Sequence, residues 1–164
     1  MPTKTLNDLF IHALSDVYSA EIQLTKALPK LAKAATNPEL AAAFTTHLEE
    51  TQGQIQRIDQ VVEISEIRLK RVKCVAMEGL VEDGQEQIDE IEKGPILDAA
   101  IIAAAQKVEH YEIATYGTLA TLAKKLGYTE GMNLLLETLQ EEKATDEKLT
   151  MLAKQELSKE QVGK

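Results

Sequence analysis

Apolar residues recur along most of this chain at intervals of three and four, the period of a helix with one face turned inward. The first such stripe is Phe10, Leu14, Val17, Tyr18, Leu28 and Leu31. Thr3 or Thr5 offers a hydroxyl to cap its start, and Pro29, inside the pattern, predicts a kink. Asn37-Pro38-Glu39 restarts the helix with a cap, a first-turn proline and an acid. The second stripe is Leu40, Phe44, Leu48, Thr51, Ile55, Ile58 and Val62. From Ser65 to Gly94 the pattern changes. A basic run, Arg68 to Lys73, leads into an acidic stretch in which Val75, Leu80, Val81, Ile88 and Ile91 line a shorter helix. Gly94-Pro95 then breaks the chain. A long helix ends at Gly127, a left-handed cap in waiting. A last helix follows, with Ser158 to Lys164 expected to fray.

The predicted helices therefore span about 4–35, 38–64, 74–92, 96–126 and 129–157, in one domain over 1–164. Short loops make the first and last pairs antiparallel hairpins. The intervening segment is long enough to cross a helix of about 40 Å. That is an all-α, ferritin-like four-helix bundle of two antiparallel hairpins, with a short extra helix on a long crossover. Aromatic residues are 4% of the chain and Trp is absent, so Leu, Ile, Val and Ala must fill the core. A net charge of -9 repels phosphate backbones and argues against nucleic-acid binding. Cys74 stands alone, which excludes an intrachain disulfide and fits a reducing cytoplasm. No signal peptide and no membrane-spanning run is read in the sequence.

Charge changes the picture most where it falls on the apolar stripes. Glu21 lies near the centre of the first, Glu112 in the middle of the third (Ile101, Ala105, Val108, Leu119), and Glu142 and Asp146 on the fourth (Leu135, Leu139, Leu149, Ala153). On the second helix Thr51 holds the line, His47 and Gln54 sit on its shoulder, and Glu50 lies beyond them. Glu109, one turn before Glu112, could add an oxygen. An isolated buried carboxylate costs several kcal/mol, so such residues need protons, partners or a metal. Two divalent ions about 3.5–4 Å apart need several bridging carboxylates, and oxygen-rich ligation suits iron or manganese. The plainer reading pairs some of these acids with Lys or Arg on the bundle's shoulders. His12 and His110 read as surface residues, and Cys74 as packing. Tyr18, Tyr111 and Tyr116 read as core fillers, with electron relay as the alternative. No HExxH, phosphate loop or nucleophile elbow occurs.

HLEETQGQIQRIDQV, KCVAMEGLVED, IIAAAQKVEHYEIATYGTLATLA and LQEEKATDEKLTMLA resemble the YciF family of bacterial stress-response proteins, and the likeness extends over nearly the whole chain. It implies a fold related to rubrerythrin and bacterioferritin, a homodimer, and a part in stress responses. The wider ferritin-like pattern has one Glu on each of two helices and Glu-x-x-His on the other two. Glu21 and Glu112 match the single glutamates. Glu142 matches a third, but Thr145 stands where His is usual, with Asp146 as a substitute. Glu50 is followed by Gly53 and Glu49 by Gln52, so neither completes the pattern. The expected function is thus metal binding at a two-ion iron or manganese site, with reduction of peroxide or O₂ as its extension. The alternative is a non-enzymatic stress or adaptor protein that keeps the fold without a metal centre. Ile22, Ile102 and Ile113, outside the core stripes, suggest the surface of a homodimer.

Overall fold

The computed structural model describes residues 2–159 and 162. Five helices follow in order: α1 (Leu6–Ala34), α2 (Pro38–Ile64), α3 (Val75–Glu90), α4 (Pro95–Leu126) and α5 (Thr129–Lys159). Each begins and ends for local reasons. Thr5 and Asp8 form a reciprocal capping box at the start of α1. The Asn37 side chain accepts from the Glu39 amide ahead of α2. Gly127, at φ +80°, closes α4 in the left-handed conformation that a Cβ disfavours. Pro29 sits inside α1, which continues to Ala34 beyond it. The chain stays helical through Ser158 and Lys159, which were expected to fray. Apart from exposed Val162, the rest of that tail lies outside the described residues.

Cross-helix bonds give the directions. On α2 and α5, Asn37 meets Glu156 and Arg57 meets Thr138. Where α1 and α4 meet, Thr36 bonds Asp98, just past the end of α1, while Tyr111 bonds Asp16 within it. Both pairings run antiparallel. α1 packs on α2, α2 on α5, α5 on α4 and α4 on α1, which closes a ring. Since α1 opposes both α2 and α4, those two run the same way. The segment between them must therefore return along the full length of the ring. It does so through α3, which lies against α1 and α4. Met77 of α3 is fully buried. Val75, expected to pack, is 78% exposed because it opens the helix on the side away from Cys74 and Met77.

The interior has two apolar layers. One contains Leu24, Leu28, Phe44, Ile101, Val108 and Leu149. The other contains Phe10, Leu14, Val17, Ile58, Tyr116, Leu119 and Leu135. On every ring helix a polar residue falls between them: Glu21 between Val17 and Leu24, Thr51 between Phe44 and Ile58, Glu112 between Val108 and Tyr116, Glu142 between Leu135 and Leu149. The helices cross this level together, so the polar residues meet at mid-height.

Candidate metal centre

At that level Glu21, His47, Glu109, Glu112 and Glu142 are all buried, none more than 3% exposed. One ligating atom from each of His47, Glu109, Glu112 and Glu142 lies within 4.8 Å of the others. His47 Nε2 is 2.8 Å from Glu109 Oε1 and 3.7 Å from Glu142 Oε2. Nε2 has no hydrogen-bond partner by geometry. The other ring nitrogen, Nδ1, is 3.3 Å from Glu50 Oε2, and the same oxygen accepts from the Thr145 hydroxyl at 3.3 Å. Glu50 and Thr145 thus fix the imidazole so that Nε2 faces the carboxylates. Thr51 donates its hydroxyl to the His47 carbonyl at 2.7 Å and adds no ligand atom.

Among the described residues, both oxygens of Glu21, Glu112 and Glu142 and Oε2 of Glu109 are buried without a hydrogen-bond partner. Buried polar atoms are nearly always paired, so this concentration is unusual. Its electrostatic result follows. Burial pushes the Glu21 carboxyl up to about 8, and Glu142 and Glu109 add repulsion; Glu112, within reach to share a proton, pulls the other way. Burial, then Glu21, holds Glu112 well above the usual carboxylate range. Burial, then Glu112 and Glu109, does the same to Glu142. For His47, burial opposes the charged form, but Glu109, Glu50 and Glu142 overcome it and raise the imidazole well above its ordinary value. Tyr116 closes one side of the layer, its buried hydroxyl unpartnered and its pKa raised by burial and by the nearby glutamates.

The residues singled out in the sequence divide into two sets. Glu21, His47, Glu109, Glu112 and Glu142 come together. His47, expected on the shoulder of α2, points to the centre. Glu50 is half-buried and touches the imidazole instead of the carboxylate cluster. Gln54 is buried, but its amide donates to Glu141 at 3.2 Å. Asp146 does not face the core as expected. Its carboxylate meets His110 Nε2 at 3.1 Å and Gln106 Nε2 at 3.3 Å, and His110 is 70% exposed. Four residues carry a helix about 40° past a full turn, enough to swing the short Asp146 side chain out beside α4. Thr145, seen in the sequence only as a missing histidine, turns out to brace His47 through Glu50. The usable signal was His47-x-x-Glu50, the usual spacing in the reverse order. Cys74 is buried and contacts the Tyr111 hydroxyl at 3.1 Å, and Tyr111 donates to Asp16 at 3.0 Å. Burial raises both the thiol and the phenol.

A closed all-helical ring with a buried glutamate–histidine layer defines the class of protein. Residues 5–162 match the family described as a domain of unknown function, DUF892, and the chain belongs to it. It is 62% identical to protein YciF of Escherichia coli strain K12, over 100% of this chain and 99% of that one. The crystal structure of the E. coli stress protein YciF superposes with a TM-score of 0.93 at 64% identity, covering 96% of this chain and 99% of that one. YcfI from Rhodopseudomonas palustris follows at 0.87 and 48% identity, covering 90% and 94%. A Xanthomonas campestris protein at 19% identity and 0.73 shares the fold.

Proposed function

We propose that this chain is a ferritin-like metal protein holding two iron or manganese ions between its four ring helices. The single observation that carries the reading is the cluster of buried, unpartnered carboxylate oxygens around His47 Nε2. The donor set fits such ions. It offers one imidazole nitrogen and several oxygens, with no thiolate, and enough negative charge to offset two dications. Glu109, Glu112, Glu142 and His47 would hold the ions, with Glu21 beside Glu112. Glu50 would keep the imidazole oriented, as an outer carboxylate does for a ligating histidine. A bound pair of redox-active ions would supply the electrons for reducing peroxide or O₂. The chain's own contribution is a buried, preorganised set of side chains. That the E. coli relative is described as a stress protein supports a role in a bacterial stress response.

The test is metal analysis of protein purified from cells grown with iron and manganese. The expected result is about two ions per chain, falling to background in Glu112→Gln. A wild-type chain that takes up neither metal would leave the alternative, a stress or adaptor protein without a metal centre.

We further propose a homodimer in the cytoplasm. Of the three isoleucines outside the core stripes, Ile102 is buried in the chain's own core. Ile113 is half-buried and Ile22 is 36% exposed, so Ile22 marks the face for a second copy. A sedimentation mass near twice 18.1 kDa is expected; 18.1 kDa itself refutes the dimer. The single buried Cys74 supports the reducing compartment, and no helix among the described residues is long and apolar enough to cross a membrane.

A further inference from the structure

Beside the polar layer lies a cavity of about 170 Å³ that opens between α2 and α5. Its mouth carries exposed Thr46, Ala144 and Lys148. Its inner wall is Leu24, Leu28, Phe44, Ala105, Val108 and Leu149. One side is polar: His47, Glu50, Glu109 and Thr145. We propose that this cavity binds a small neutral hydrophobe with one hydroxyl donor, a molecule about the size of phenol. The proposal stands on the cavity and goes beyond the metal reading.

Size argues first. A water needs about 10–15 Å³ of such volume, and a cavity near 150 Å³ lined by Leu, Ile and Phe takes benzene. Peroxide or O₂ alone would leave most of the space empty. The wall argues next. An apolar surface on four helices favours burial of carbon and penalises a charged ligand that leaves water. The hydrogen-bonding group follows from Glu109. Its carboxylate lines the cavity beside Glu50, so the polar side offers acceptors to a ligand hydroxyl. Glu50 and Glu109 repel an anion; of the basic groups on the lining, the His47 imidazole is already flanked by these two carboxylates and Lys148 is out at the mouth.

Metal-free protein titrated with phenol, toluene and benzoate tests this, followed through the methyl resonances of Leu28 and Leu149 and the ring of Phe44. Phenol is expected to saturate these shifts. Toluene, lacking the donor, and benzoate, carrying a charge, are each expected to bind at least about tenfold more weakly. Ala105→Leu and Ala43→Leu, which fill the inner wall, are expected to weaken phenol at least about tenfold while keeping the helical circular dichroism and the metal content of wild type. The wild-type comparison needs neither variant to fold. Absence of saturation by phenol, or benzoate or toluene binding as tightly as phenol, overturns the proposal, as do folded filled variants that bind phenol like wild type. Metal content is read separately, so a chain that binds phenol but no metal refutes the centre and upholds the cavity site.

Discussion

Glu141 and Glu142 are neighbours in sequence and opposites in circumstance. Glu141 reaches the edge of the α2–α5 seam. Its two oxygens accept from Arg57 Nη1 at 2.6 Å and Nη2 at 2.9 Å, and Gln54 adds a third bond. Burial works to raise its carboxyl, but Arg57 and Gln54 overcome this and hold it below the usual range. Glu142, one position on, turns into the centre, where both oxygens lack a partner and its pKa rises. The same residue type on the same helix is thus an anchored ion pair in one register and an unsatisfied acid in the next. The chain places an arginine where a carboxylate is to be held by protein alone. It supplies none to Glu21, Glu112 or Glu142. The basic group that faces Glu142 is the His47 imidazole, 3.7 Å away.

Breaking that contrast at the centre should give the largest effect. Without metal, the folded chain keeps protons on carboxyls that the unfolded chain releases near the ordinary value of 4.5. For Glu21 the folded value is about 8. Between these two values the native state binds more protons than the unfolded state, so stability falls as pH rises. His47 acts with the same sign. Its folded value is raised above 6.5, so the stability it contributes is complete below 6.5 and is lost as pH rises through the folded value. Between pH 5.5 and 7.5 Glu21 alone should cost the apo fold about 2–3 kcal/mol, lowering its melting temperature by roughly 5–10 °C. Glu21→Gln with Glu112→Gln and Glu142→Gln should flatten this slope. Changing exposed Glu130 and Glu147 to Gln should leave most of it, since general repulsion from a net charge of -9 is the only part they touch. Equal slopes in the two variants would refute the clustered acids. Bound Fe²⁺ or Mn²⁺ should cancel the effect, because ligands must be ionised to bind.

At the seam the effect should be smaller and of a different kind. Arg57→Ala removes the bidentate pair with Glu141 and the contact to Glu137 at 3.2 Å. Both partners of the main pair are partly exposed, at 23% and 29%, so solvent screens the loss. About 1 kcal/mol is expected in urea denaturation, with metal content unchanged. A loss of metal in this variant would show that seam and centre are one network.

The helical period was legible because it repeats over many turns. α1, α2 and α4 begin close to a cap or proline visible in the sequence, at Thr5, Pro38 and Pro95. Glu21, Glu112 and Glu142 were legible for the same reason: an acid in the middle of an apolar stripe has nowhere else to point. His47 was harder. It lies off the stripe's centre, yet its ring reaches inward to Glu109 on α4 and Glu142 on α5. The supports of a site are harder still. Thr145 matters through Glu50, a contact between two helices that no spacing within either one records. Cavities belong to the same class, since they are set by what four helices together leave unfilled.

Asp146 shows the limit of the period, and it gives the smallest expected effect. A wheel drawn at about 100° per residue puts it on the core line of α5 with Glu142. A wheel has no width, however, and a stripe holds residues that reach the axis as well as residues that lie along its margin. Asp146 has one methylene fewer than Glu and sits on the side facing α4. Its nearest donors are His110 and Gln106, both on that helix. Gln106 also bonds Thr150 at 2.8 Å, so the contact survives if Asp146 is neutralised. His110 is 70% exposed, and a pair open to solvent contributes little. Asp146→Asn should therefore change stability by less than about 0.5 kcal/mol and leave metal content at the wild-type level. Glu142→Gln, one turn away, should lose the metal. Should the two variants lose metal alike, α5 is rotated in solution so that Asp146 faces the centre, and the contrast between margin and core on that helix is wrong.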